Sequence, residues 1–280
     1  MQKRAFGWTQ APVSAIGQGT WQLERADRSA AISTLRRGLD SGMNHIDTAE
    51  MYGSGAVEEL IGEAIAGRRK EAFLCSKVLP GNASSEGTIQ ACERSLRRLK
   101  VERLDLYLLH WPSSHPLEHT LRAFEQLERD GKIRFFGVSN FDIQNLEHAV
   151  SIVGERRIAC NQVLYHLEER AIEHQIIPWC KRKKIAVVGY SPFGSGRFPS
   201  PTSAGGKVLA EIAKKHGARP RQVALRFLIR DPDVFTIPMT SNPQHAAENA
   251  AAADLVLSAD EVKQIDAAFP RGTKRTLQTL

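Results

Sequence analysis

The 280-residue sequence predicts an α/β protein: a (β/α)8 TIM barrel with an N-terminal hairpin cap and extra helices. Three observations carry that prediction. Eight short apolar segments alternate with eight segments of helical periodicity over about 250 residues, the rhythm of a parallel sheet closed into a barrel. No linker or low-complexity tract interrupts them, which predicts one domain over residues 1–280. Asp47, Tyr52, Lys77 and His110 stand at or just past the C-terminal ends of successive strands, where barrels gather their chemistry. A doubly wound open sheet is the runner-up.

Residues 4–13 read as a small polar hairpin or cap. The strands then run in order as VSAIGQG, MNHIDTA, AFLCSKV, LDLYLLHW, IRFFGVSN, ACNQVLYH, AVVGYSP and VFTIPMT. The helices between them start near Arg28, Ala56, Ser85, Leu117, Ile143, Ile172, Arg221 and Pro243. Leu117, Leu121, Phe124 and Leu127 share one face at helical spacing, and Gly131 can cap that helix. Asn242-Pro243 reads as an N-cap and first helical residue. An extra helix is expected over residues 207–217. Ser258 and Glu261 form a capping box that opens a final helix. The Ser/Pro/Gly-rich residues 194–206 read as a long loop over the barrel mouth.

Composition narrows the function classes. The net charge of +7 reads first as a solvated basic surface, and such a field also gathers an anionic ligand. No basic stripe interleaved with aromatics points to nucleic acid, and no apolar run of about 18 residues predicts a membrane span. The opening Met1-Gln2-Lys3-Arg4 is polar and predicts no secretory signal. Cys75, Cys92, Cys160 and Cys180 form no CxxC pair, which predicts neither zinc nor a disulfide framework and suits a reducing cytoplasm. His115 and His119 lack a third ligand nearby, so no metal site is expected.

Residues 43–53, MNHIDTAEMYG, organise the rest. Singly, each titratable residue has a plain structural reading: Asp47 as a turn residue, Tyr52 as turn packing, Lys77 as a solvated lysine, His110 as a core histidine. At the ends of consecutive strands of one barrel they form a proton-transfer constellation. Asp47 pairs with Lys77. Lys77, cationic beside Tyr52, is expected to favour the phenolate and lower the tyrosine pKa from about 10 toward working pH. Tyr52 then serves as general acid toward a carbonyl oxygen, which His110 orients.

At these residues the chain resembles the aldo-keto reductase superfamily. The shared segments are GQGTW (17–21), HIDTAEMYG, SKV, LLHWP, GVSNF (137–141), NQV (161–163), YSPFGSG (190–196) and IPMTSNPQHAAEN (237–249), in family order over nearly the whole chain. The resemblance implies reduction of aldehydes or ketones with NADP(H), and with NAD(H) as a second cofactor. It implies Tyr52 as acid supported by Lys77, Asp47 and His110. It implies that Ser139, Asn140 and Gln162 hold the carboxamide and that Tyr190 stacks on the nicotinamide. Ser191, Pro192, Phe193, Gly194 and Gly196 would wrap the pyrophosphate. Thr240, Ser241, Asn242, His245, Glu248 and Asn249 would hold the adenosine end, with Thr20, Trp21, Asp47, Ile237, Pro238 and Met239 as further contacts.

This extended mode suits a sequence with no GxGxxG and no P-loop. Gly194 and Gly196 allow close backbone approach, and the helix opening at Asn242 offers N–H groups to a phosphate. Trp21, Met51 and Trp111, beside Tyr52 and His110, are expected to wall an apolar substrate pocket. Met239 and His245 stand where family members commonly carry Lys and Arg, which implies a weak preference for NADPH or use of both cofactors. The tail after Phe269 is short where relatives use a longer loop, which implies an open pocket. The expected protein is a cytoplasmic monomer acting on a small carbonyl substrate, with no nucleic acid or membrane partner. Two alternatives remain: a Schiff-base lyase using Lys77, and a non-catalytic dinucleotide-binding or redox-sensing subunit.

Overall fold

The computed structural model describes residues 3–280. Lys3–Ala5 (β1) and Pro12–Ser14 (β2) pair antiparallel, which is the expected hairpin.

Eight parallel strands come next: Gln18–Gly19 (β3), His45–Asp47 (β4), Phe73–Val78 (β5), Leu104–Leu109 (β6), Ile133–Ser139 (β7), Ile158–Leu164 (β8), Ala186–Tyr190 (β9) and Val234–Thr236 (β10). Each pairs with the next in sequence, and the bridges Ile16–Thr236 and Gly19–Met239 join the last strand to the first. The result is the (β/α)8 barrel. Its seam needs Gly19, because a Cβ there would lie 2.4 Å from the Ile237 carbonyl oxygen. Phe6, next to β1, is fully buried against His45, Phe73 and Phe235, with ring centroids 6.2, 5.3 and 5.0 Å away. The hairpin therefore plugs the N-terminal end of the barrel.

The first predicted strand is split. Val13 and Ser14 belong to the hairpin, and Gln18–Gly19 alone form β3. The last ends at Thr236, short of Pro238, which has no N–H for the ladder.

Strand alternation sorts the side chains. Phe73, Cys75 and Lys77 of β5 face the lumen, as do Leu106 and Leu108 of β6, with His110 just beyond them. Leu74, Val78, Tyr107 and Leu109 face outward under the helices. A period of two thus fills the lower lumen with apolar groups and brings Lys77 and His110 to the upper rim.

The covering helices are Arg28–Asp40 (α1), Ala56–Ala64 (α2), Ser85–Leu99 (α3), Leu117–Arg129 (α4), Ile143–Val153 (α5), Ile176–Lys183 (α6), Ala204–Lys215 (α7), Pro220–Leu228 (α8), Pro243–Ala251 (α9) and Ala259–Ala268 (α10). The Ser258–Glu261 capping box opens α10 with both reciprocal bonds. Two starts differ from expectation. The helix expected near Ile172 begins at Ile176, after a 3₁₀ turn at Ala171–Glu173. Pro178 explains it, since its ring would clash with the residue-174 carbonyl of a longer helix. The extra helix begins at Ala204, not Lys207, because the Ser203 hydroxyl accepts from the Gly206 N–H at 3.0 Å and caps it there.

Candidate active site

β4 ends at Asp47 and the chain turns sharply to present Tyr52. The turn runs through Gly53, Ser54 and Gly55 at φ 55, 52 and 99°. Left-handed backbone at Ser54 costs on the order of 1–2 kcal/mol, so neighbouring contacts must hold it. Glu50 accepts from the Leu79 N–H at 2.8 Å and the Asn82 amide at 2.9 Å. Buried Glu58 joins Ser76 and Arg98 at 2.7 Å each. Neither carboxylate is singled out from the sequence alone.

The structure brings Asp47, Tyr52, Lys77 and His110 together. Lys77 Nζ donates to Asp47 Oδ1 at 2.6 Å, to the Thr48 carbonyl at 2.8 Å and to Tyr52 Oη at 3.4 Å. His110 meets Tyr52 edge-on with ring centroids 5.9 Å apart. Burial penalises the Lys77 ammonium, but Asp47 and its other neighbours outweigh that and raise its pKa.

Tyr52 corrects an expectation. Burial raises its pKa, and Lys77 only partly opposes the rise, so the group is held as the neutral phenol. Burial, reinforced by Lys77, pushes His110 down to about 2, so its imidazole is neutral. Its Nδ1 is buried without a partner among the described residues. The arrangement is a neutral acid beside a fixed cation, with a neutral imidazole at the same mouth.

The expected carboxamide residues cluster further round the barrel. Ser139 Oγ donates to the Gln162 carbonyl at 2.9 Å, and Gln162 Nε2 to Asp47 Oδ2 at 2.7 Å. Asn140 Nδ2 donates to the His110 carbonyl at 3.1 Å and to Ser139 Oγ at 3.2 Å, while its Oδ1 accepts from Tyr190 at 2.9 Å. Thr20 Oγ1 donates to the Asp47 carbonyl at 2.8 Å. The Gln162 amide N–H that points at Asp47 is therefore already engaged. Trp21, Met51 and Trp111 stand partly exposed around the mouth.

Beside this mouth lies a cleft of about 920 Å³. One wall is Ser191, Pro192, Phe193, Ser195 and Gly196, and another is Met239, Thr240, His245, Glu248 and Asn249. Ser191, Gly194, Ser195 and Gly196 all have positive φ. No described residue accepts from the Ser195 or Gly196 N–H. Turned, unsatisfied amides of this kind form an anion-binding concavity.

The start of α9 offers less than expected. The Asn242 side chain already accepts from the N–H groups of Gln244 and His245, and residue 243 is proline. Ile237, Pro238, Ser241 and Gly194 do not line this cleft. Arg219, Arg221 and Gln222, at the start of α8, do. The sequence reading missed these three. Their signal was two arginines flanking the proline of a helix start, where the helix dipole disfavours cations.

A dinucleotide fits these residues. The cleft is open beside the mouth, carries unsatisfied amides, and has cations on its outer wall. Comparisons with known proteins agree. The family model described as Aldo/keto reductase family matches residues 15–269. Methylglyoxal reductase YeaE of Escherichia coli (strain K12) is 41% identical over 265 residues, covering 94% of this chain and 93% of that protein. Glyoxal reductase of Bacillus subtilis (strain 168) is 35% identical, covering 90% and 87%. An aldo-keto reductase from Klebsiella pneumoniae, solved in complex with NADPH, superposes with a TM-score of 0.93 at 40% identity, covering 100% of both chains.

Proposed function

The chain belongs to the aldo/keto reductase family, and we propose that Tyr52, Lys77, Asp47 and His110 carry out its reaction. That reaction is NADP(H)-dependent reduction of an aldehyde or ketone to an alcohol. The bound nicotinamide supplies the hydride equivalent to the carbonyl carbon. The Tyr52 hydroxyl gives its proton to the carbonyl oxygen. Lys77 stabilises the phenolate this leaves, and Asp47 fixes Lys77 in place. Neutral His110 hydrogen-bonds the same oxygen and sets its direction toward Tyr52.

The carrying observation is the chain of contacts from Asp47 through Lys77 to Tyr52, at 2.6 and 3.4 Å. It also weighs against the Schiff-base alternative. An imine-forming lysine must be neutral, and Lys77 is paired with a carboxylate inside the barrel. Substrate class comes from the relatives: a small 2-oxoaldehyde such as methylglyoxal or glyoxal. The partly exposed Trp21, Met51 and Trp111 leave the mouth open to it. Further parts of this reading are a single barrel domain over residues 1–280 and a monomer acting in the cytoplasm. Four free, buried cysteines support the last.

The test is loss of NADPH absorbance with methylglyoxal, glyoxal and larger ketones as substrates. Turnover that favours the small dicarbonyls supports the reading. Cofactor binding without turnover of any carbonyl would favour a non-catalytic subunit.

A further inference from the structure

We propose that Arg221 holds the phosphate on the adenosine ribose of NADPH and is the residue that selects NADPH over NADH. The inference rests on the function proposed above, since it concerns the cofactor of that site.

The cleft wall that carries Met239, Thr240 and His245 is poor in cations, and Met239 presents an apolar, partly exposed side chain to it. The α8 wall is different. Arg219 is its N-cap, Pro220 its first residue, and Arg221 its second. Cations at that end oppose the helix dipole, and both side chains are exposed, so the dipole of α8 favours neither charge.

The two arginines differ. Arg219 Nε lies 3.0 Å from Glu248 Oε1, so its charge is largely answered. Among the described residues no carboxylate pairs with Arg221. The Arg221 guanidinium is nevertheless held. It lies 5.5 Å from the Phe193 ring centroid and 5.0 Å from that of Phe198. Those rings meet edge-on at 5.7 Å. Aromatic contacts of this kind fix the plane of a guanidinium while leaving its N–H edge free, which suits bidentate phosphate recognition.

Placement points the same way. Arg221 faces the same cleft as Ser195 and Gly196, whose unsatisfied amides suit the pyrophosphate, and as Thr240 and His245, which the family resemblance assigns to the adenosine end. Binding would replace an uncompensated cation at a helix start with an ion pair. Because Phe193 and Phe198 flank the 194–197 turn, the phosphate would also be read by a residue that pins this loop.

Direct titration of cofactor fluorescence, without turnover, tests this on the full chain. NADPH and NADH are compared on the unmodified protein, Arg221→Ala and Arg221→Lys. Adenosine 2′,5′-bisphosphate and adenosine 5′-monophosphate serve as competing probes. The expected result is an NADPH Kd raised about tenfold or more in Arg221→Ala, the loss of one charge-assisted contact. The NADH Kd should move less than about twofold, with Arg221→Lys between the two for NADPH. Adenosine 2′,5′-bisphosphate should lose affinity as NADPH does, and adenosine 5′-monophosphate should not. Equal weakening of NADPH and NADH would assign Arg221 to the pyrophosphate or to loop packing and overturn the proposal. So would unchanged affinity for both. An unmodified protein that binds neither cofactor would overturn the functional reading as well, which separates the two failures.

Discussion

Lys77 donates to Asp47 Oδ1 at 2.6 Å, and both side chains are almost completely shielded from water. A buried ion pair contributes little net stability against an apolar replacement, because desolvation offsets attraction. Its value here is directional. With Asp47 on one side and the Thr48 carbonyl on another, the ammonium has one direction left, toward Tyr52.

Breaking that pair should be costly to the fold. Asp47→Asn leaves the Lys77 charge buried and uncompensated. We expect a loss of about 3–5 kcal/mol in unfolding free energy, measured by urea titration. Asp47→Asn with Lys77→Met removes both charges and should recover most of it. A double variant as unstable as Asp47→Asn would show that the pair is not what the single variant broke.

Lys77→Met should change pH profiles in a defined direction. In the proposed mechanism, reduction needs the Tyr52 phenol, present below its pKa, and alcohol oxidation needs the phenolate, present above it. Burial already raises that pKa and Lys77 opposes the rise. Removing Lys77 should move both limbs to higher pH and slow oxidation at any fixed pH. His110, at about 2, should add no limb near neutrality. Profiles of kcat/KM in both directions check this, and unchanged profiles in Lys77→Met would remove it as the tuning group.

Met239→Lys should tighten NADPH binding. The side chain lines the cleft, where a lysine could meet a phosphate. One such contact contributes roughly 1.5–3 kcal/mol, about tenfold or more in Kd. NADH affinity should stay within about twofold. Calorimetric titration of both cofactors decides it.

Glu173 supplies a stability prediction away from the site. It accepts from Arg170, Arg230 and Tyr165 at 2.8, 2.8 and 2.6 Å. Burial pushes its pKa up, but hydrogen bonds from Arg170 and the charge of Arg230 win and hold it at about 2. A depressed folded pKa gives stability present above the ordinary value of 4.5 and lost as pH falls toward 2. The contribution is on the order of 3 kcal/mol at neutral pH. Glu173→Gln should flatten acid unfolding in that window, as monitored by circular dichroism.

Much of this was legible in the sequence because it is periodic or local. Alternating apolar runs mark β5 and β6, and the same alternation places Lys77 and His110 at the rim. Asn242-Pro243 and Ser258 mark their helices through cap chemistry. What escaped depends on distance in three dimensions. The net direction of the Tyr52 pKa is a contest between burial and Lys77, and burial cannot be read from residue order. Arg221 lines the cleft together with Phe193 and Phe198, which the loop after β9 brings against its guanidinium from far along the chain. Pro178 displaced a helix start that the apolar pattern alone had put at Ile172.

The central claim is that Tyr52 is the proton donor, and Tyr52→Phe tests it most directly. Phenylalanine keeps the ring packing against His110 and removes only the hydroxyl. Single-turnover reduction of methylglyoxal by the preformed NADPH complex isolates the chemical step from cofactor release. General acid catalysis contributes about 10²–10⁴-fold, so the single-turnover rate should fall at least 100-fold while the NADPH Kd changes less than about threefold. A variant that retains more than about a tenth of the unmodified single-turnover rate would contradict the account.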